Sequence, residues 1–287
     1  MRYGKNREKV FGRLRPGLPR SLRLRRPGQD RTRKHRISDF TSKVTRVVLS
    51  GNEIFDLRFQ EEISRRWRIS PYEFCSRAEY EASKKNTGYY FLVPVNGQTK
   101  AETAPGIAFL SLEKGGEPGG SDPMKASLTI LTFPYASASF PSGREFVFLP
   151  AIIDIIQDYT LQAMTSDVAG YAGLGVYAQR VRKNWDKDIY LSEDDLTEPL
   201  QPGSGLESYG EDEVDEAFAE GREDLLVGYV VAPTDPENGS WCYKMVISAG
   251  THELYYFDRH KIGTRNPAGF LRSDVKQLSS SKKSAVR

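Results

Sequence analysis

Three histidines, His35, His252 and His260, are the chain's whole stock of the side chain that most often moves protons near neutral pH. His35 stands among arginines. His252 lies in the turn-like stretch SAGTHEL, and His260 follows Asp258 and Arg259 near the end of a strand-like run. His252, His260, Glu253 and Cys242 are the set that could gather as a mixed metal site, but their spacing matches no metal motif. A serine nucleophile needs a sharp elbow of the G-x-S-x-G kind. PSGRE (141–145) and PGSGLES (202–208) both lack its strand–turn–helix setting. GYAGLG (170–175) has the glycines of a phosphate cradle but follows a helix rather than a strand. Asp194, Asp195 and the acids of 211–216 lack the alternation and central glycine of a calcium loop. These residues predict no catalytic set, no cofactor and no metal.

One polar spot in the ordered part invites a binding role. Ser142, Gly143 and Arg144 open an apolar helical run, where backbone N–H groups can receive an anion. The simpler reading makes Ser142 the helix cap, with Glu145 three residues on completing a capping box.

The charge layout is stronger than any motif. The net charge is only +3, yet residues 1–36 hold fourteen Arg or Lys against Glu8 and Asp30, a net +12. Residues 193–224 hold thirteen Asp or Glu against Arg222, a net −12. Such asymmetry points to a polyanionic partner, to an internal contact or to disorder. Arg20, Arg23, Arg25, Arg26, Arg31, Arg33, Lys34 and Arg36 are the candidate polyanion-binding residues. The leader has no apolar core of the kind a secretory signal needs. Its prolines and glycines break the amphipathic helix of a transit peptide. With little to bury and strong self-repulsion, residues 1–41 are expected to be disordered. The most apolar stretch, FVFLPAIIDIIQDYTLQAM, carries Pro150, Asp154, Gln157 and Asp158, so no transmembrane segment is expected. Cys75 and Cys242 read as reduced or buried thiols rather than a bridge.

The elements that would position these groups follow from periodicity. SKVTRVVLSG reads as a strand, and Asn52 caps NEIFDLRFQEEISRRW, a helix with Phe55, Phe59, Ile63 and Trp67 on one face. ISPYEFC reads as extended, and Ser76 caps RAEYEASKKN. TGYYFLVPV, GIAFLSLEKGG and KASLTILTFPY read as strands, with EPGGSDP a loop before the last. Residues 150–166 predict a helix buried along its isoleucine face, with Pro150 in the first turn. VAGYAGLGVYAQRVRKNW reads as a glycine-broken helix. The acidic stretch around 193–224 reads as a long loop, mobile and dispensable over 198–222, with a short helix at EDEVDEAFAEG. DLLVGYVVAP is a strand. WCYKMVISAG and THELYYFDRHKI form a hairpin turning at Ala249–His252. A helix from Pro267 through PAGFLRSDVKQL closes the fold, and 279–287 is a polar tail. No internal repeat is visible. The pattern predicts an α/β (α+β) fold, a mixed sheet with helices packed on it, in a single domain over 42–278. A split near residue 190 into two small domains is the alternative.

WRISPYEF (67–74), YYFLVPV (89–95), FPSGREFVFLPAIIDIIQ (140–157) and THELYYFDRHKI (251–262) resemble a group of uncharacterised bacterial proteins. Their order is similar to the α/β domain of envelope accessory proteins of the TolB N-terminal or curli-secretion type. In SAGTHEL, His252 stands where that pattern usually has Gly. The resemblance implies a non-enzymatic assembly role with a protein partner, usually in the periplasm, and carries no catalytic residue across. It also implies an export signal before residue 42, where this chain has its Arg-rich leader. As given, the chain reads as cytoplasmic, and as periplasmic if the leader is not native. The other role the residues support is nucleic-acid binding through the basic arm.

Overall fold

The structure, a computed structural model, describes residues 22–23, 37–117, 128–183 and 186–283. Its first half runs β1 (Leu22–Arg23), β2 (Val44–Val48), α1 (Glu53–Arg66), β3 (Tyr72–Cys75), α2 (Arg77–Ser83), β4 (Tyr89–Gln98), β5 (Ile107–Lys114) and β6 (Thr129–Ser137). Next come α3 (Arg144–Thr165), α4 (Asp167–Ala172) and a 3₁₀ segment (Gly173–Lys183). The second half runs β7 (Asp188–Ser192), a 3₁₀ turn (Glu193–Asp195), β8 (Glu207–Tyr209), α5 (Glu211–Ala219), β9 (Leu225–Val231), β10 (Trp241–Ser248), β11 (Leu254–Lys261) and α6 (Arg272–Lys283). The fold is α/β, built on two mixed sheets rather than the expected one.

The two sheets repeat one topology. The first has strand order β3-β2-β4-β5-β6, with β1 added on β4; the second has β8-β7-β9-β10-β11. In each, the first three strands of the path pair in parallel and the last three form an antiparallel meander. α2 and α5 occupy the same place, between second and third strand, and α3 and α6 each follow the meander. The halves differ at the first crossover, where α1 is matched by a 3₁₀ turn and a loop. No sequence repeat betrays this, because layered packing constrains apolar periodicity and not residue identity.

One core serves both sheets. Phe109 of β5 meets Tyr243 of β10 edge-on at 5.7 Å, and Phe133 of β6 lies 6.2 Å from Phe257 of β11. α3 carries Phe148, Leu149, Ile152, Ile153, Ile156 and Tyr159 into that core, all fully buried. A second apolar cluster lies between the other face of the second sheet and α6, with Leu191, Leu226, Val246, Phe270 and Leu278. β9 is therefore covered on both faces, which explains its unbroken apolar run. Gly228 within it leaves room that a Cβ would take from the Leu191 side chain and the Phe270 ring.

Several boundaries differ from the sequence reading. Residues 37–41, expected to belong to the disordered leader, are part of the fold: Ile37 and Phe40 are buried and the Phe40 ring packs 4.6 Å from Tyr90. α3 starts at Arg144 and holds Pro150 as its seventh residue, so proline does not mark its first turn. α6 starts at Arg272 rather than Pro267, because Phe270 is a core residue in the approach to it. It runs to Lys283, past the boundary expected for a polar tail. The stretch expected as a dispensable loop holds β8 and α5, with Val214 and Phe218 buried and the Phe218 ring 4.4 Å from Phe148. Asp212, Glu213 and Glu216 mark the solvent face of a short amphipathic helix, not a wholly solvated segment.

Candidate functional site

Gly143, at φ +100°, is the residue before α3, where a glycine enters the left-handed region without a Cβ penalty. Ser142 Oγ accepts from Arg144 N at 3.3 Å, and the Glu145 carboxylate accepts from Gly143 N at 2.9 Å. The expected capping box on Ser142 is thus replaced by a glycine cap held by Glu145. Arg144 turns inward and is 6% exposed. Its Nη1 lies 2.9 Å from Asp195 Oδ2 and 3.3 Å from Glu211 Oε2, and its Nη2 lies 2.9 Å from Asp215 Oδ1. Phe148 and Tyr229, stacked at 4.1 Å, lie 5.5 and 5.4 Å from the guanidinium. Arg144, named with Ser142 and Gly143 as a candidate anion site, is here engaged by three carboxylates of the fold.

One guanidinium cannot neutralise three carboxylates. Burial pushes the Asp195 carboxyl up to about 6, against the pull of Arg144 and helped by Glu211 and Asp215. Burial also raises Asp215 and Glu211. The cluster docks the acidic stretch on the start of α3, and it can take up a proton in mild acid.

A second junction joins α1, α3 and the β10–β11 turn. His252 Nδ1 lies 2.7 Å from Asp154 Oδ2, and Arg66 Nη1 lies 2.8 Å from the same oxygen. The carboxylate as acceptor assigns the ring proton to Nδ1. The ring stacks on Phe218 at 5.8 Å. Arg66 also donates to Glu62, and Gln157 of α3 bonds the backbone of both Arg66 and Arg68. His252 has φ +58°, in the region where glycine is usual. An Asp–His pair is the geometry of a base and its orienting group, with Nε2 left to act, but among the described residues no hydroxyl or thiol hydrogen-bonds that nitrogen.

The other two conspicuous side chains lie elsewhere. Cys242 and His260 are cross-strand partners on β10 and β11. His252 precedes β11 at its far end, roughly 20 Å away at strand rise, so the mixed metal set does not assemble. Burial pushes the Cys242 thiol up to about 11 and lowers the His260 imidazole. Next to them Lys244, fully buried, pairs with Asp274 of α6 at 2.7 Å, and Tyr256 donates to the same carboxylate at 2.6 Å. This is an internal clamp for α6.

Of the candidate polyanion-binding residues, Arg23 belongs to β1. Arg20, Arg25, Arg26, Arg31, Arg33, Lys34 and Arg36 lie outside the described residues, as does most of the leader expected to be disordered. The surface has a different feature. α1 buries Phe55, Phe59 and Ile63 on one side and leaves Ile54 and Leu57, each 73% exposed, on the other. Phe55 stacks on Tyr135 at 5.1 Å, which sets this end of α1 beside the end of β6, five residues before Phe140. Phe140 is itself 67% exposed. Ile54 and Leu57 fall off the Phe55-Phe59-Ile63 stripe in sequence, and that displacement was the available signal. Comparison with family models, with characterised proteins and with solved structures finds no match to this chain.

Proposed function

We propose that the protein is a non-enzymatic interaction or accessory module that works through its folded surface. The observation that carries this reading is the first part of α1, where two large apolar side chains face water. A surface helix normally turns charged residues to water, whereas Ile54 and Leu57 sit there one turn apart. The ion pairs between elements point the same way. Arg144, Arg66 and Lys244 each hold elements together through carboxylates, which fits a scaffold better than a reacting centre. A photoreactive residue at position 57, activated in the cell that makes the protein, should yield one discrete protein adduct. The same residue at the exposed Glu53 should yield less. Equal labelling at both positions, or none, argues against a partner on this face.

A second reading rests on the leader. Its +12 is opposed by the −12 of residues 193–224, but Asp195, Glu211 and Asp215 are engaged by Arg144 within the fold. The leader therefore meets less free acid than the sequence alone suggests, and keeps affinity for a polyanion such as nucleic acid. Binding of a generic duplex at several salt concentrations tests this. The arm predicts a steep salt slope that disappears when residues 1–36 are removed.

A further inference from the structure

β2 runs beside β4 only from Tyr89 to Leu92. β4 continues to Gln98 with β5 on its other side. Gly115 N donates to Tyr89 O and Gly106 N to Gly97 O, both from the β5 side. Odd-numbered residues of β4 therefore direct their backbone groups to β5, and even-numbered residues direct theirs to the β2 side. On that side Pro94 has no N–H, and its carbonyl accepts from Arg77 Nη2 at 3.2 Å. Asn96 and Gln98 are what remains of β4 for a further strand.

β1 lies there. It is parallel to β4, with Leu22 opposite Gly97 and Arg23 opposite Gln98. In a parallel ladder a residue bonds to both neighbours of its partner, so Leu22 meets Asn96 and Gln98. Gly97 and Gln98 also border an apolar crevice formed with Ile107, Phe109, Trp241 and Tyr243.

We propose that the β4 edge from Val93 to Gln98 is a strand-addition site, and that Leu22 and Arg23 of the chain's own leader fill it as a strap. Pro94 and Arg77 close the near part of the edge, so the strap is short and readily displaced. It covers the backbone groups through which another chain could pair.

Hydrogen exchange tests the strap at single amides. The Gln98 amide faces β1, and the Val95 amide faces β5 and serves as the control. In the protein lacking residues 1–36, Gln98 should exchange at least tenfold faster, with Val95 unchanged. Full-length protein carrying Leu22→Pro should behave the same way. A peptide of residues 18–28 should restore protection to the shortened protein, and one carrying Leu22→Pro should not. Unchanged Gln98 exchange overturns the proposal. Loss of protection at Val95 as well also overturns it, because the leader would then support the whole sheet. Protection that grows with protein concentration overturns the assignment to the chain's own leader and gives the site to a second copy.

Discussion

The imidazole of His252 hydrogen-bonds Asp154 across 98 residues of sequence, fastening the turn of the second meander to the middle of α3. The histidine holds this place at a backbone cost, since φ +58° disfavours a side chain by roughly 1 kcal/mol or more relative to glycine. The bond to Asp154 and the stack on Phe218 offset that cost. His252→Ala keeps the strain and loses both contacts, so it should destabilise by about 1 kcal/mol more than His252→Gly. Urea unfolding of the two variants measures the difference. Equal losses would mean that the turn is not strained.

Much of the fold was legible before the structure, for local reasons. Asn52 and Ser76 cap α1 and α2 as read, the second with Glu79 in a capping box. The hairpin turns at Ala249–His252, and His252 occupies the glycine-like position. What failed was non-local. The acids of 193–224 outnumber its apolar residues, and nothing local tells that Phe218 finds Phe148, or that Arg144 finds Asp195 51 residues on. The Arg66–Asp154–His252 junction joins three distant segments and left only the odd histidine as a trace. The repeated topology left no trace, since it lives in strand order.

The Arg144 cluster predicts a pH dependence of stability. The Asp195 carboxyl is raised by burial to about 6 in the folded protein, above its ordinary value of 3.8. The folded state then binds the proton more tightly than the unfolded chain. Stability is lowest above pH 6 and rises as pH falls, by roughly 1 kcal/mol between pH 7 and 5 from this group and by up to roughly 3 kcal/mol once the pH is below the unfolded value. Asp39 acts in a different window. Burial pushes it up, but Lys43, Tyr90 and Lys114 outweigh burial and hold it below the usual range. Its contribution is lost only below about pH 4. Asp195→Asn should flatten the rise between pH 7 and 5. A variant that retains the full rise would place the titration elsewhere.

Phe218→Ala removes a ring packed on Phe148 and His252 and should cost about 3–5 kcal/mol. Replacing residues 198–222 by a Gly-Ser linker should leave a chain without a cooperative unfolding transition. A linker variant as stable as the parent would return this stretch to the status of a loop.

Ile156 is fully buried in α3. Ile156→Ala should cost about 2–5 kcal/mol, read as a lower urea midpoint at unchanged m. Ile54→Gln with Leu57→Gln on the exposed face of α1 should move the midpoint by no more than about 0.5 kcal/mol in free energy. A large loss there would mean that these side chains support the fold rather than await a partner.

The most direct test of the interaction reading compares two proteins carrying the photoreactive residue at position 57, one full-length and one beginning at Ile37. After irradiation in the cell, both should give the same discrete protein adduct at comparable yield. That adduct should be lost when Ile54 is changed to Gln in either background. An adduct that requires the leader, that consists of nucleic acid, or that persists unchanged with Ile54→Gln would contradict a function carried by the folded surface.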